Sequence, residues 1–173
     1  MRRGFLLALW MLPLFGFAQT AWQNKVRESY FGLDGTDCNS LKLAEYFEEH
    51  PPKDAVMTAY YGASSAAAPQ CLFSPASKIS YFRRGKQLLA KAVNQQPDNF
   101  EIRFLRFATQ TMTPGFLGYN ENIEEDKAFL LKNLAKGRQL QENKKIFDIM
   151  LKFMLDSDYL TPAEKRSISM LKI

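Results

Sequence analysis

Two stretches of this chain read alike when one is laid over the other: residues 43–69 over residues 89–114. Pro52 then meets Pro97, Ala63 meets Ala108 and Pro69 meets Pro114, each pair 45 positions apart. In each copy an amphipathic segment runs up to a proline, a second segment follows, and another proline stops it. That pattern describes a helical hairpin used more than once. Internal repeats of ~20–50 residues usually stack side by side, each unit burying the face its neighbour leaves open. Such a chain is expected to be a scaffold rather than a catalyst.

The first residues carry an address. Arg2 and Arg3 form a short positive region, and residues 4–17 follow without a charge. Gly16 and Ala18 put small residues at the −3 and −1 positions of a cut after Ala18. These are the three parts of a secretory signal peptide. The apolar run falls short of the ~20 residues a spanning helix needs. No cysteine stands at the cut, so a lipid anchor is not expected. An uncleaved anchor is the alternative. The expectation is a signal peptide over residues 1–18, then one exported domain over 19–173, periplasmic or secreted, with no membrane span after cleavage.

Charge is milder in that domain than in the whole chain. Taking Arg2 and Arg3 from the 23 basic residues leaves 21 against 18 acidic ones. The halves differ: residues 19–75 hold 4 basic and 7 acidic residues, residues 76–173 hold 17 and 11. A dipolar chain without a helix-turn-helix pattern, zinc spacing or ribonucleoprotein motif is not expected to bind nucleic acid.

A pass along the sequence reads as helices. Trp22, Val26 and Tyr30 recur every fourth residue, so a short helix is expected over 20–30. A helix over 39–49, with Leu41, Ala44 and Phe47 on one side, stops at Pro51-Pro52. An Ala-rich helix over 54–67 carries Val56, Tyr60 and Ala63 inward. In the helix over 77–95, residues Ile79, Phe82, Gly85, Leu88, Leu89, Ala92 and Val93 share one half. Gly85 sits mid-face, where glycine lowers helix propensity by about 1 kcal/mol relative to Ala. Close packing against another helix is the expected return. Asp98 with Glu101 reads as a capping box opening a helix that carries Phe100, Phe104, Leu105, Phe107, Ala108 and Met112 on a broad apolar face. Helices over 121–137, stopped by Gly137, and over 143–155 follow. Thr161-Pro162-Ala163-Glu164 opens a last, short helix. No stretch alternates with period two for long enough to be a strand. The fold expected is all-α, with successive helices after residue 38 pairing as three hairpins.

Cys38 and Cys71 are the only cysteines. They flank the first hairpin, and an antiparallel arrangement would bring them together at its open end. A structural disulfide is expected in an oxidising compartment. No C-x-x-C motif and no nearby histidine supports a redox or metal pair.

Residues 89–99, LAKAVNQQPDN, resemble the junction between two tetratricopeptide repeats. In that family an Ala-rich second helix leads through a Pro-Asp-Asn-type turn into the next first helix. The resemblance covers little more than residues 77–112. The spacing is wider than the family's ~34 residues, and the aromatic-Leu-Gly-aromatic pattern is only weakly echoed by Tyr60-Tyr61-Gly62. The resemblance implies a tetratricopeptide-like solenoid of stacked antiparallel hairpins, six to eight helices in all, that binds a peptide or protein. It also implies hairpins pairing the helix over 54–67 with that over 77–95, and the helix from Asp98 with that over 121–137.

Candidates for chemistry are few. His50, the one histidine, sits at a helix end where a cation is favourable. Glu121, Glu124, Glu125 and Asp126 fall in the first turns of a helix and complement its dipole; the spaced ligands and glycine of a calcium loop are missing. Tyr60 and Tyr61 form either core or a ligand platform. Phe116, in the loop over 113–119, either tucks under the helices or joins an exposed patch. Arg83, Arg84 and Lys86 on one helix, and Arg103 and Arg106 on the next, converge on one groove if those helices pack. Arginine forks suit carboxylate or phosphate. The alternative is a solvated face paired with Asp98, Glu101 or the acidic run. The tentative site is therefore Arg83, Arg84, Arg103, Arg106, Tyr60 and Phe116. No metal ligand set and no cofactor motif is present. The function expected is an exported, non-enzymatic helical scaffold for a protein or peptide partner. The alternative is a module for an anionic small molecule or envelope glycan, and an enzyme is the third reading.

Overall fold

The computed structural model describes residues 15–32, 38–140 and 144–170. Of the expected leader, residues 1–14 lie outside the described residues. The chain runs as α1 (Phe15–Tyr30), α2 (Asn39–Glu49), α3 (Ala55–Ala67), α4 (Pro75–Gln95), α5 (Phe100–Met112), α6 (Ile123–Lys132), α7 (Leu134–Leu140), α8 (Lys144–Asp156) and α9 (Pro162–Met170). Short 3-10 turns occupy Ala68–Cys71 and Gly115–Leu117. No strand occurs among the described residues, so the fold is all-α. None of their helices is long and apolar enough to cross a membrane.

Local chemistry sets most helix ends. Asp54 caps α3 by accepting from the Met57 N–H at 2.8 Å. Ser74 accepts from the Ser77 N–H at 3.4 Å and Pro75 occupies the first turn of α4, so that helix starts two residues before the expected Ser77. At α9 the capping box forms in both directions: the Thr161 N–H donates to Glu164 at 2.7 Å, and the Glu164 N–H to Thr161 at 3.3 Å. The box expected at Asp98 does not form. Asn99 is the cap instead, accepting from the Glu101 and Ile102 N–H groups at 3.1 and 3.2 Å. The Glu101 side chain turns inward to Arg27 and Tyr60.

The single helix expected over 121–137 is two, broken at Asn133. The side-chain amide of Asn133 donates to the Phe129 carbonyl at 2.8 Å, and its backbone N–H is shared between Phe129 and Leu130. A side chain that bonds the preceding turn competes with the helical ladder. Gly137 is not a stop but lies inside α7, where an added Cβ would sit 2.7 Å from the Phe100 ring.

Helix α3 is the hub: it packs on α1, α2, α4 and α5, most extensively on α4. The α3–α4 contact is a backbone contact. A Cβ on Gly85 would stand 2.6 Å from the Ala66 nitrogen and 2.7 Å from the Gly62 carbonyl oxygen; one on Gly62 would meet the Leu89 nitrogen at 2.9 Å. The close approach expected of Gly85 and of the Ala-rich helix is present at this crossing.

Helix α5 is the shared wall between two apolar cores. Ile102 and Leu105 join Phe47, Met57, Tyr60 and Leu89 on one side. Phe100, Phe104 and Phe107 face α6 to α9 on the other, against Leu130, Ile146 and Met150. Each such side chain, fully buried, contributes roughly 1.5–3 kcal/mol.

Cys38 and Cys71 are disulfide-bonded, with Cα atoms 6.0 Å apart. The bond ties the start of α2 to the turn after α3, closing the hairpin as expected. Closing a loop across a separation of 33 residues stabilises by roughly 3–4 kcal/mol in the chain-entropy model. Cys38 holds φ 53°, the left-handed region, as the last residue before α2.

Gly85→Ala tests the α3–α4 crossing. Alanine adds helix propensity of about 1 kcal/mol, but the added methyl meets backbone, and overpacking of this kind costs about 1–3 kcal/mol. Chemical denaturation should show a net loss of stability. A variant as stable as the parent would show that the two helices are not in backbone contact.

Candidate functional site

Helix α4 runs for 21 residues and α3 for 13. At ~1.5 Å per residue, α4 outreaches its partner by about 12 Å. Its apolar stripe is covered at Gly85 and Leu89 but continues to Phe82 and Ile79 with no helix over it; Ile79 is 54% exposed. The same happens on α5, whose stripe is buried from Phe100 to Ala108 and ends on Met112, 67% exposed. The following turn leaves Phe116 88% exposed, while Tyr119 folds under it and is buried. The expectation that the 113–119 loop either tucks or exposes itself is thus met in both ways, residue by residue.

These surfaces enclose a groove of about 760 Å³, within the range of ligand sites. Ala63, Ala66 and Ala67 lie on the α3 side, where small side chains leave the space open. Tyr30 from the end of α1 also lines it, and Ile79, Phe82, Met112 and Phe116 complete the apolar lining. Ala63 with Ala108, and Pro69 with Pro114, all line it. Two of the three pairs matched in the sequence repeat therefore line this groove, and the Pro52/Pro97 pair does not.

The groove is cationic. Lys78, Arg83 and Lys86 line it, and among the described residues no acidic one does. Lys78 and Arg83 make no ion pair among the described residues. The Lys86 ammonium stands 4.7 Å above the Tyr119 ring, and the Phe82 ring meets that ring edge-on at 6.0 Å. Burial pushes the Tyr119 phenol well above its ordinary range, and pushes Tyr30 up to about 12. Neither phenol supplies a base near neutral pH. The hydroxyls of Thr109 and Thr113 donate to their own helix, to Leu105 and Thr109 carbonyls, both at 2.7 Å. What remains is an apolar trough with positive charge along one side: chemistry for binding an apolar group that carries negative charge nearby.

Of the tentative site residues, Arg83 and Phe116 are in the groove. The others are elsewhere. Arg103 and Arg106 do not converge with Arg83; both are buried against the acidic start of α6. Arg106 donates twice to Asp126, at 2.6 and 2.8 Å. Arg103 pairs with Glu125 at 2.6 Å and with Asp126 at 2.8 Å, its guanidinium 4.9 Å over the Phe129 ring. Asp126 is 0% exposed. Desolvation outbids the anion-binding role: a buried guanidinium needs a fixed counter-charge, and the acidic run supplies it. Tyr60 is also unavailable. It is fully buried and donates to Glu101 at 2.7 Å, and Glu101 takes a two-pronged pair from Arg27 at 2.6 and 2.9 Å. Burial first, then the Glu101 charge, holds the Tyr60 phenol well above its ordinary range. Arg84 leaves the groove for Glu48, at 2.7 and 3.0 Å, and lies over Tyr81. His50 caps α2 and stacks on Tyr46 at 4.7 Å, with no second titratable partner. No cluster of three potential metal ligands occurs among the described residues.

Sequence reasoning put Ile79 and Met112 on the apolar faces of their helices and passed over Lys78. The usable signal was the length mismatch between adjacent helices, which leaves apolar surface without a cover.

No family model, curated protein or solved structure matches this chain.

Two predictions separate the buried network from the groove. Arg106→Met strips a buried carboxylate of its two-pronged partner and should lower stability by about 3–5 kcal/mol. Arg83→Ala should stay within about 0.5 kcal/mol of the parent. Equal urea midpoints for the two variants would contradict the ion-pair assignment. The hydrogen bond from Arg103 holds the Glu125 carboxyl below the usual carboxylate range, against a smaller opposing effect of burial. A depressed folded pKa gives stability that is fully present above the unfolded value and is lost as pH falls through the folded one. Glu125→Gln should therefore flatten the acid limb of the stability profile below about pH 5. An unchanged acid limb would remove Glu125 from the cause.

Proposed function

We propose that the protein is an exported, non-enzymatic helical scaffold that binds a protein or peptide partner in the groove between the ends of α3, α4 and α5. The observation that carries this reading is the apolar groove itself, whose lip exposes Ile79, Met112 and Phe116 to solvent. Contiguous exposed apolar surface of this kind marks interaction sites. The tetratricopeptide-like stacking of hairpins is supported by the meeting of repeat-matched positions in one groove, and by α3 touching both sequence neighbours and α5. The Cys38–Cys71 bond suits an oxidising compartment, in keeping with export after a cut at Ala18. A second reading, a module for an anionic small molecule, draws on Lys78 and Arg83, which line the groove and make no ion pair among the described residues.

The test uses a photoreactive residue introduced in the native cells at Met112, at Phe116, or at the exposed Lys91 of α4, which does not line the groove. Protein adducts are expected from the first two positions and not from Lys91. Adducts confined to lipid or small molecules, or equal labelling from Lys91, would overturn the protein-partner reading.

A further inference from the structure

The groove selects among possible occupants through three features: its walls, its exposed lip and its charge. The walls are mostly helical, with backbone groups paired internally away from the helix ends, and the short turns at Ala68–Cys71 and Gly115–Leu117 contribute the rest. The threonine hydroxyls in the lining are bonded to their own helix. An extended peptide laid in such a trough would bury its amides without partners, and each unpaired group is costly. An occupant must therefore bring a backbone that is already satisfied, or none at all.

The exposed lip divides the two cases that remain. Ile79, Met112 and Phe116 stand out of the groove rather than closing over it, 54%, 67% and 88% exposed. A single acyl chain would lie in the trough and leave those lips wet. A helix, about 10–12 Å across with its side chains, would rest on the lips and cover them. It would also supply the cover missing from the overhanging stripes of α4 and α5, in the same helix-on-helix manner as the rest of the fold.

Charge decides which helix. Lys78 and Lys86 are eight residues apart on α4, about 12 Å along its axis at ~1.5 Å per residue, with Arg83 between them. Among the described residues no acidic side chain lines the groove. A second copy of this chain docked groove to groove would bring these cations together, and like charges in an interface are strongly disfavoured. Carboxylates along one edge of an incoming helix, two turns apart, would instead complement them.

Resting on the groove-binding reading above, we propose that the partner segment is an acidic amphipathic α-helix lying along α4. Its apolar side chains at i, i+3 or i+4, and i+7 enter the groove. Its Asp or Glu residues, spaced by about two turns, meet Lys78 and Lys86, with Arg83 between.

The test is selection from a displayed library of helical peptides of about 15 residues, apolar on one face and randomised among Glu, Gln and Lys along its edges, against the exported chain. Recovered peptides should carry Glu at positions two turns apart and be helical when bound. Binding should weaken about tenfold or more in Lys78→Glu/Arg83→Glu and in Ile79→Asp, variants on exposed positions whose melting is checked against the parent. Added salt should weaken it as well. Lysine-rich or uncharged winners, affinities unmoved by these variants, or no groove binder at all would overturn the proposal. The photocrosslinking result is read separately. A protein captured at Met112 and Phe116 through an extended or basic segment would leave the scaffold reading standing while the acidic-helix proposal fails.

Discussion

The backbone contact of α3 with α4 is the constraint on which the other placements depend. Gly62 and Gly85 let the two helices approach until a Cβ on either would collide with backbone atoms. At that separation Ala63, Ala66 and Ala67 on α3 suffice to fill the crossing, and larger side chains there would push the helices apart. The small residues have a second effect. Where α3 ends, only the short turn Ala68–Cys71 continues along α4, and the groove opens there. The same composition that brings the hairpin together thus leaves a recess at its end.

The buried charges follow from α5 being a wall between two cores. A helix buried along most of its length has no solvated face for its polar residues. Glu101 is answered by Arg27 and Tyr60, which ties α1 and α3 to α5. Arg103 and Arg106 are answered by Glu125 and Asp126, which ties α6 to α5. Burial pushes the Asp126 carboxyl up, and the Arg106 and Arg103 guanidiniums oppose it. Such pairs contribute little net stability when intact and cost much when one partner is removed. Their effect is to specify how helices dock. Cations that serve this purpose are lost to ligand binding, and the groove is left with those α4 carries outside the core.

Helix ends were legible because they are decided by groups within about four residues of each other. Pro51 and Pro52 and the Thr161–Glu164 box could be read directly. The misplacement at Asp98 was of one residue, and it had a consequence: freed from the cap, Glu101 became a buried partner. The break at Asn133 was missed because asparagine is tolerated in many helices and ends one only when its amide turns back on the ladder. The disulfide was legible because a proline-ended hairpin has only one open end, and both cysteines flank it.

The candidate site was only half legible, and the division has one physical cause. Apolar spacing tells which side of a helix is hydrophobic, so Ile79 and Met112 fell on the apolar faces of their helices. Whether a stripe is covered depends on the length and crossing point of the neighbouring helix. Likewise, sequence spacing put Arg83, Arg103 and Arg106 on facing helices. Which of them would be neutralised depended on α6 folding back over α5, bringing Asp126 to Arg106 across 20 residues of chain. The order of the residues determined an all-helical fold with a hairpin closed by a disulfide, because those features arise from neighbours in sequence. Only the tertiary structure decided which apolar face stays open and which cations stay unpaired, because burial and ion pairing are properties of what packs against a helix.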